Sequence, residues 1–496
     1  MTDRRERVHA FMEEHVYPNE SALLREDDAA DALVRGLQQK AKEAGLWAPH
    51  LPPEAGGSGG GFLEYAHLNE EIGRSTIAQL IFGCQAPDAG NAEILHLYGT
   101  DEQKERFLRP LVAGETRSFF AMTEPEVAGS DPTLLRGRAQ RDGDAWVIDT
   151  HKWFSSGADG AAFAIVMVVT EPEAEPHRRA SMILVPTDTP GYELVRRIPV
   201  MGHEGRGWGT HCETRFTGVR VPLANTLGEP GDGFRIAQKR LGPGRIHHVM
   251  RWLGQMERAF ELMCARALER EAFGGPLAEK QTVQNWIAES AADIQACRLM
   301  TLAAAQRLDE GDEARVEISL IKFFAARVLG EVLDRAIQVH GGLGLTEDTP
   351  LALMWRMARG GRIYDGPDEV HKAVVARRIL RSFAEGDGWR FTCRSRAGGS
   401  GSNRSRITTT TSCSRSRATR ACGLCSGSAR TSRWSGSTSG TRPSTWASRT
   451  TSTVASSATR ATAATGRTTG LSRSATPGSS PTPGRAAPTP RPSTCS

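Results

Sequence analysis

The order in which helical and strand-like hydrophobic patterns follow one another leaves few folds open to this chain. From Arg4 to about Ser118 the apolar residues recur with a helical period, interrupted by Gly and Pro. Between about Phe119 and Gly228 the pattern becomes short and strand-like, and after Gly233 the helical period returns. The strand-like runs have short gaps and no helix between them, which favours an antiparallel barrel or sandwich over a parallel sheet.

Four strand-like runs and two helical stripes support this division. The runs are Ala145–Asp149, Ala161–Val169, Met182–Pro186 and His211–Val221. The stripes, at spacings of three and four residues, are Leu253, Met256, Phe260, Met263 and Ala267, then Ile318, Ile321, Ala325, Val328 and Val332. Such stripes face the core of a helical bundle. We predict an α+β fold with an N-terminal α-helical domain at 1–118, a middle antiparallel β-barrel-like domain at 119–228 and a C-terminal four-helix bundle at 229–385.

The end of the chain differs from the rest in composition. Residues 391–496 contain 16 Arg and no Lys, Asp or Glu, and taking those charges from the net +5 of the whole chain leaves the first 390 residues at −11. With almost no aliphatic side chains, this segment cannot bury enough apolar surface to offset its chain entropy. We predict that 386–496 is a disordered Ser/Thr/Arg-rich tail, and we interpret it as a frameshift or read-through product. A nucleic-acid-binding tail is the weaker alternative.

Cysteine spacing and hydropathy point to neither a metal site nor a membrane span. The cysteines of the first 390 residues lie far apart, without metal-type spacing, at Cys84, Cys212, Cys264 and Cys297. The longest apolar run, Ala161–Val169, is too short to cross a bilayer. The N-terminus lacks the apolar region of a signal peptide. We expect a cytoplasmic protein without a metal.

The segment Phe120–Asp131 reads Phe-Ala-Met-Thr-Glu-Pro-Glu-Val-Ala-Gly-Ser-Asp. Its apolar start suits the end of a strand, and Pro125 stops the strand's hydrogen bonding. The loop that follows is rich in hydroxyls and free N–H groups, which can hold planar polar groups or phosphates. Read alone, the segment could also be an ordinary exit from a strand.

Three further segments have a similar ambiguity. Lys152–Gly157 places aromatic and hydroxyl side chains together, which suits either a surface turn or stacking on a flat ring. Glu269–Gly274 carries an arginine that could lie on a solvated helix face. Gln338–Gly344 contains glycines that would let the backbone approach a ligand closely.

A candidate base lies in Arg362–His371. Asp365 stands beside a glycine and follows the apolar Ile363 and Tyr364, so we expect burial to raise its pKa towards that of a general base. Asp365 could instead cap the last helix. Asp368 is the better candidate for that cap, because the apolar residues of the helix follow it directly, and this leaves Asp365 free.

Together the five segments resemble the acyl-CoA dehydrogenase family over roughly residues 4–385. Glu126 and Val127 stand where most members have one residue, and this insertion, with Lys152–Gly157 and Asp365–His371, resembles the branch of family members ten and eleven. Asp365 occupies the position where many members place a catalytic Glu. Because Asp is one methylene shorter, the carboxylate or the substrate must shift, and about 1 Å of misplacement can cost about 100-fold in rate.

The resemblance implies FAD as the cofactor and Asp365 as the catalytic base. It implies substrate contacts from Ser130, Arg245 and Gly366. The residues that it implies for FAD are Phe120, Met122, Thr123, Gly129, Ser130, Phe154, Ser155, Ser156, Arg270, Phe273, Gln338, Gly341, Gly342, Asp368 and Glu369. Of these, Arg270 and the segment from Gln338 to Gly342 would reach the cofactor of a neighbouring subunit.

The activity implied is α,β-dehydrogenation of an acyl-CoA thioester to the trans-2-enoyl-CoA, with hydride transfer to flavin N5. A homodimer or homotetramer and an electron-transfer flavoprotein as acceptor belong to the same expectation. Two alternatives stay open: a flavin-dependent oxidase of the nitroalkane-oxidase type, and a catalytically silent flavoprotein. Acyl chain length does not follow from the sequence.

Overall fold

The computed structural model describes residues 2–389, and the predicted tail from residue 390 onwards lies outside the described residues. The first part of the chain is helical, as predicted. Its helices are α1 Thr2–Phe11, α2 Glu20–Leu23, α3 Asp28–Glu43, α4 Phe62–Gly73, α5 Ala78–Ile81, α6 Asp88–Tyr98, α7 Asp101–Gln103 and α8 Arg109–Val112. Short π-helical turns at Met12–Val16 and Lys104–Leu108 extend α1 and join α7 to α8.

The middle of the described chain is an eight-stranded sheet. Its strands are β1 Ser118–Ala121, β2 Arg138–Asp142, β3 Ala145–Ser156, β4 Phe163–Val169, β5 Ala180–Pro186, β6 Tyr192–Arg197, β7 His211–Pro222 and β8 Thr226–Leu227. They lie in the order β6-β7-β3-β2-β4-β5-β8, with β1 beside β4. Most pairs are antiparallel; β4 and β5, for example, stay in register from Phe163 opposite Pro186 to Val169 opposite Ala180.

The sheet differs from the prediction in two respects. β1 runs parallel to β4, with Phe120 opposite Ile165, because β2 and β3 separate the two strands in sequence and supply the long crossover that a parallel pair requires. The strands β2 and β6, and the two-residue strand β8, were not predicted. β8 is too short to show a period. Neither β2 nor β6 has a fully buried face of alternating apolar residues, so their periodicity is weak.

The helical period returns where it was predicted. The helices are α9 Gly233–Glu269, α10 Gln281–Asp309, α11 Arg315–His340, α12 Leu351–Gly360 and α13 Asp368–Ala384, and the hairpin strands β9 Glu271–Ala272 and β10 Gly275–Pro276 follow α9. α9, α10 and α11 pack on one another, and α12 and α13 pack on α11. Both predicted stripes are core-facing: all of their residues are buried except Phe260, which is partly buried against the same core. The α+β class, with a β-domain between two helical regions, is confirmed.

Two glycines let α4 and α9 cross at backbone contact. A Cβ added at Gly254 would lie 2.0 Å from the carbonyl oxygen of Glu70, and one at Gly73 would lie 2.5 Å from the Cα of Arg251. No side chain fits between the two backbones at this point. The crossing fixes the middle of α9, whose residues line the site described below.

The buried apolar residues form three clusters. The first lies among the helices, and the other two lie on the two faces of the sheet. Among residues 2–389 no helix is both long and apolar enough to span a bilayer. Within the same range, no group of three or more His, Cys, Asp or Glu side chains is placed to hold a metal ion.

Candidate functional site

A cavity of about 3220 Å³ lies where the β-domain meets α9 and the loop before α13. Ordinary ligand pockets measure about 300–1,000 Å³, so this one has room for two large ligands. Ten of the predicted site residues line it: Phe120, Met122, Thr123, Gly129, Ser130, Phe154, Ser156, Arg245, Asp365 and Gly366.

The remaining predicted site residues are not brought to this cavity. The side chain of Ser155 is fully buried and hydrogen-bonds Thr214, with 3.0 Å between the hydroxyl oxygens. Phe273 is 98% exposed at the tip of the β9–β10 hairpin. The others are exposed on the surface, apart from the buried Asp368: Arg270, Gln338, Gly341, Gly342 and Glu369. The role of Arg270 and of Gln338–Gly342 towards a neighbouring subunit's cofactor stays a prediction, as does FAD binding by the other residues of this group.

A buried ion pair holds the loop that follows β1. Lys152 Nζ on β3 donates to Glu124 Oε1 at 2.8 Å and to the carbonyls of Met122 and Met167 at 2.9 and 2.6 Å. Burial lowers the pKa of Lys152 to about 8 although Glu124 opposes it. Burial alone would raise the pKa of Glu124, but Lys152 and two backbone N–H donors outweigh it and lower that pKa. The pair therefore ties the start of the loop to the sheet.

The end of β3 presents an aromatic ring to the cavity. The pairing with β7 is interrupted between Lys152 and Ser155, and within that bulge Phe154 adopts a φ of +49° and is 44% exposed. A bulky residue in this left-handed region is strained, and such strain clusters at functional sites. The bulge also explains why only one of the two following serines lines the cavity. Ser156 lies beside the cavity, with its hydroxyl oxygen 2.7 Å from His211 Nδ1, whereas Ser155 faces the interior.

The loop around Gly129 and Ser130 has free hydrogen-bond donors. Neither residue's N–H makes a hydrogen bond within residues 2–389, nor does the hydroxyl of Ser130. A Cβ at Gly129 would lie 3.0 Å from the methyl group of Thr123, so a side chain here would press on the loop. Thr123 itself donates to the carbonyl of Trp153 at 2.7 Å and keeps only acceptor capacity for a ligand. The exposed ring of Phe154, the free N–H groups of Gly129 and Ser130 and the free hydroxyl of Ser130 together suit a flat heterocycle that carries phosphates.

Asp365 lines the same cavity and lies in the loop between α12 and α13. Hydrogen bonds to backbone carbonyl groups hold this loop in place. Arg245 Nε and His371 Nε2 donate to the carbonyl of Asp365 at 2.8 and 3.2 Å. Lys322 Nζ, from α11, donates to the carbonyls of Gly361 and Tyr364 at 2.6 and 3.0 Å. Asp365 has a φ of +53°, a conformation that Asp tolerates better than most residues.

The next residue, Gly366, has a φ of +102°. A Cβ there would lie 2.8 Å from His371 Nε2, so only glycine fits.

The pKa of Asp365 is lowered, so the predicted increase of this pKa was wrong. Burial acts to raise that pKa, as the sequence suggested, but a hydrogen bond from His248 and the charges of Arg240 and Arg245 outweigh burial. The pKa of Asp365 therefore lies well below its ordinary value, and the carboxylate is ionised at neutral pH. Its side chain is 22% exposed, towards the cavity.

The predicted helix cap was also wrong. The N-cap of α13 is Pro367, and the helix has no side-chain cap. The buried carboxylate of Asp368 accepts instead from Arg362 Nε at 2.7 Å. Asp365 is nevertheless free of any capping role, as the sequence indicated.

Several residues of the site were missed by the sequence reasoning. His248 Nε2 lies 3.1 Å from Asp365 Oδ2, and Arg240 lies over the ring of Phe120 at 4.2 Å. One signal could have found His248: it follows Arg245 by one helical turn on α9, so the two share a face. Lys322 and His371 have no comparable signal, because a lone Lys or His in a helix is ordinary.

Comparison with known proteins identifies the family. Three family models cover most of residues 2–380: the acyl-CoA dehydrogenase N-terminal domain at 2–115, middle domain at 119–219 and C-terminal domain at 231–380. FadE2 of Mycobacterium tuberculosis, assigned as an acyl-CoA dehydrogenase, is 47% identical over 390 residues, which are 76% of this chain and 95% of FadE2.

Acyl-CoA dehydrogenase family member 11 of Rattus norvegicus is 44% identical over 392 residues. The match covers 76% of this chain, and the chain spans about half the length of that relative. A solved Mycobacterium abscessus structure assigned to the acyl-CoA dehydrogenases superposes with a TM-score of 0.74 at 43% identity, over 77% of this chain and 98% of the other. The relatives also include family member 10 of Mus musculus. The chain therefore belongs to the acyl-CoA dehydrogenase family and is similar to its members 10 and 11.

Proposed function

We propose that this protein is an FAD-dependent oxidoreductase that converts an acyl-CoA thioester to the trans-2-enoyl-CoA, with Asp365 as general base. The observation that carries the proposal is the position of Asp365. Its ionised carboxylate faces the same cavity as the loop at Gly129–Ser130 and the ring of Phe154. A base, a phosphate-binding loop and an aromatic surface in one cavity are the parts that this reaction needs.

The residues of the β-domain fit FAD. Phe154 and Trp153, with ring centroids 5.0 Å apart, offer an aromatic edge for the isoalloxazine, and Thr123 offers an acceptor. The N–H groups of Gly129 and Ser130 can donate to a phosphate. FAD, when bound, supplies the acceptor for the hydrogen that leaves the β-carbon as hydride.

The low pKa of Asp365 shapes the proton transfer. At neutral pH the carboxylate is already ionised, so it is ready to accept the α-proton, but a carboxylate of low pKa is a weak base. The thioester carbonyl must therefore be polarised to acidify the α-carbon. The N–H of Gly366 makes no hydrogen bond within residues 2–389 and is a candidate donor to that oxygen. Losing one such donor typically costs about 100- to 1,000-fold in rate.

Arginines at the cavity compensate for the acidic character of residues 1–390. Arg240 and Arg245 are largely buried beside Asp365, and burial lowers the pKa of both while Asp365 opposes it. Arg356 and Arg359 on α12 and Arg381 on α13 also line the cavity. These cations would attract the anionic CoA moiety, whereas the net negative charge of residues 1–390 would repel it.

We further infer a homo-oligomer with an electron-transfer flavoprotein as electron acceptor. The exposed Arg270, Phe273 and Gln338–Gly342 segment support the oligomer, because they lie outside the cavity of their own chain and can reach that of another. Fatty-acid β-oxidation in the cytoplasm is the setting that we propose for this activity.

The test is an anaerobic titration of the purified full-length protein with acyl-CoAs of increasing chain length. The visible absorbance spectrum of the protein is recorded at each step. A yellow protein that one chain-length class bleaches supports the dehydrogenase and gives its substrate range. A yellow protein that no acyl-CoA bleaches contradicts it.

The same sample separates the alternatives. Rapid reoxidation by air, with nitroalkanes as reductants, would indicate an oxidase. No reduction by either substrate class would indicate a silent flavoprotein, and a colourless protein that takes up no FAD would overturn the cofactor assignment.

A further inference from the structure

His248 lies between the candidate base and a buried arginine. Its Nε2 is 3.1 Å from Asp365 Oδ2, and its Nδ1 is 2.8 Å from Arg251 Nη2. The His248 side chain is 16% exposed and Arg251 is 5% exposed. Both residues lie on α9, one turn apart, next to the close crossing with α4. The three side chains form a continuous hydrogen-bonded chain that ends at the cavity.

The hydrogen bond from Arg251 decides which nitrogen of His248 carries the proton. A guanidinium can only donate, so Nδ1 must accept and stay unprotonated. Burial lowers the pKa of His248 to about 4, with Arg251 adding to the effect and Asp365 opposing it. At neutral pH the ring is therefore uncharged with its proton on Nε2, and that N–H donates to Asp365 Oδ2.

This donor leaves one oxygen of Asp365 free. Oδ1 accepts no hydrogen bond within residues 2–389, whereas Oδ2 is held by His248. The backbone of the same residue is held through its carbonyl by Arg245 and His371. The carboxylate has therefore one fixed oxygen and one oxygen available for a proton.

We propose that His248 is a positioning residue that aims Oδ1 of Asp365 at the substrate, and that Arg251 fixes the tautomer His248 needs for this. The inference rests on the proposed function of Asp365 as base. A short side chain benefits from such a support, because free rotation of the carboxylate would misplace it by about 1 Å and cost about 100-fold in rate.

Other titratable groups also affect the pKa values of Asp365 and His248, and therefore contribute to any pH dependence measured at this site. Those that act on Asp365 or His248 are Arg240, Arg245, His247 and Arg251 on α9, Lys322 on α11, Tyr364 in the loop, and His371 on α13; Asp368 acts on Lys322. Among these groups only Arg251 hydrogen-bonds the Nδ1 of His248. The ring of Tyr364 lies 4.7 Å from that of His248, and since His248→Leu and His248→Gln both remove this ring contact, the difference between the two variants reports on the hydrogen-bond donor.

The kinetic test compares His248→Leu with His248→Gln in the FAD-loaded full-length protein. Leu removes the donor, so we expect kcat to fall about 10- to 100-fold with little change in KM. Gln keeps an N–H donor and should restore most of the rate. His9→Gln, which changes an exposed histidine outside the cavity, is the control and should leave kcat and KM unchanged.

A second readout does not depend on turnover. With 15N-labelled histidine, the His248 resonances, assigned by their loss in His248→Gln, should show an unprotonated Nδ1 and a protonated Nε2 from pH 5 to 8. A protonated Nδ1 at pH 7, or His248→Leu kinetics equal to wild type, would overturn the inference. If no acyl-CoA reduces the wild-type protein, the proposed function fails, while the tautomer measurement still decides whether the hydrogen-bonded chain exists.

Discussion

Two half-buried carboxyl groups line the same cavity, and they differ in charge. The first group, the Asp365 cluster, consists of Asp365, His248, Arg251, Arg245 and His371. The second, the Glu93 cluster, consists of Glu93, His247 and His50. The carboxylate of the first has a pKa well below its ordinary value, whereas burial raises the pKa of Glu93 to about 8. At neutral pH one carboxyl is ionised and the other is mostly protonated.

Hydrogen-bond donors, rather than depth of burial, account for this difference. Asp365 has His248 as a donor at 3.1 Å. The nearest titratable partner of Glu93 is His247, whose Nε2 lies 3.6 Å from Oε1 but whose own pKa is lowered by burial, and Oε2 has no hydrogen-bond partner among the described residues. Arg240 lowers the pKa of both carboxyls but does not overcome the burial of Glu93. A carboxylate in this cavity is ionised only where donors are aimed at it.

Replacing the ionised carboxylate should have the largest effect. Asp365→Asn keeps the shape of the side chain but cannot accept a proton, so the rate of anaerobic flavin reduction by acyl-CoA should fall about 100- to 10,000-fold. Stopped-flow absorbance measures this rate. Binding of acyl-CoA should persist, visible as a perturbed flavin spectrum without bleaching. A variant reduced at the wild-type rate would show that another group takes the α-proton.

The next change tests the rule on a third carboxylate. Lys152→Met should leave the buried Glu124 without its cation and should raise its pKa, but by less than burial raises that of Glu93, because the N–H groups of Arg136 and Gly137 still donate to it. Breaking a buried pair in this way typically costs about 3–5 kcal/mol of unfolding free energy. Urea denaturation followed by tryptophan fluorescence gives the value. The double variant with Glu124→Gln should recover part of the loss, and a single variant as stable as wild type would refute the rule.

A smaller effect is expected at the α4–α9 crossing, which positions His247 and His248 for their separate clusters. Gly254→Ala forces a methyl group to within 2.0 Å of the Glu70 carbonyl, so α9 must shift, at a cost of about 1–3 kcal/mol. Gly330→Ala on α11 is the matched control, because its Cβ would meet nothing within 4 Å. That change should be neutral or stabilising by up to about 1 kcal/mol, since Ala favours a helix. Equal losses from both variants would contradict a close crossing.

The parts of the site that could be predicted from sequence are the local ones. The loop after Phe120 was interpreted as a possible ligand-holding loop, and Asp365 as a candidate base, because each lies in one continuous segment with its own turn chemistry; that the two share one site was implied only by the family resemblance. The pKa of Asp365 could not be predicted, because His248, which donates to its carboxylate, and Arg245, whose charge lowers its pKa, lie 117 and 120 residues away in the chain. Proximity between such distant residues is a product of packing, which no local pattern encodes.

The two serines at the end of β3 illustrate the same limit. Strict alternation along a strand assigns neighbouring side chains to opposite faces, but it does not say which face a given residue takes after a bulge. The irregularity between Lys152 and Ser155 decides that Ser156 lines the cavity and that Ser155 does not. At the level of fold, long periodic helices and apolar strands were predictable, whereas β2 and β6, which lack a fully buried apolar face, were not.

The smallest predicted effect compares the clusters through the pH dependence of stability. A folded-state pKa raised above the unfolded value, as for Glu93, gives stability that is lost as pH rises from about 4.5 to about 8. The histidines act in the opposite sense. Burial lowers the pKa of His50 to about 3 and those of His248 and His371 to about 4, so their contribution is lost as pH falls below 6.5.

Glu93→Gln should therefore change only one side of the stability profile. At pH 8 the amide needs no proton, and the unfolding free energy should exceed that of wild type, whereas at pH 5 the two proteins should be nearly alike. Both should still lose stability between pH 6.5 and 4. Urea unfolding at pH 8, 6.5 and 5 measures this, with the exposed Glu175→Gln as a control that should show no pH-dependent difference. A variant less stable than wild type at pH 8 would mean that Glu93 is ionised and paired, as Asp365 is.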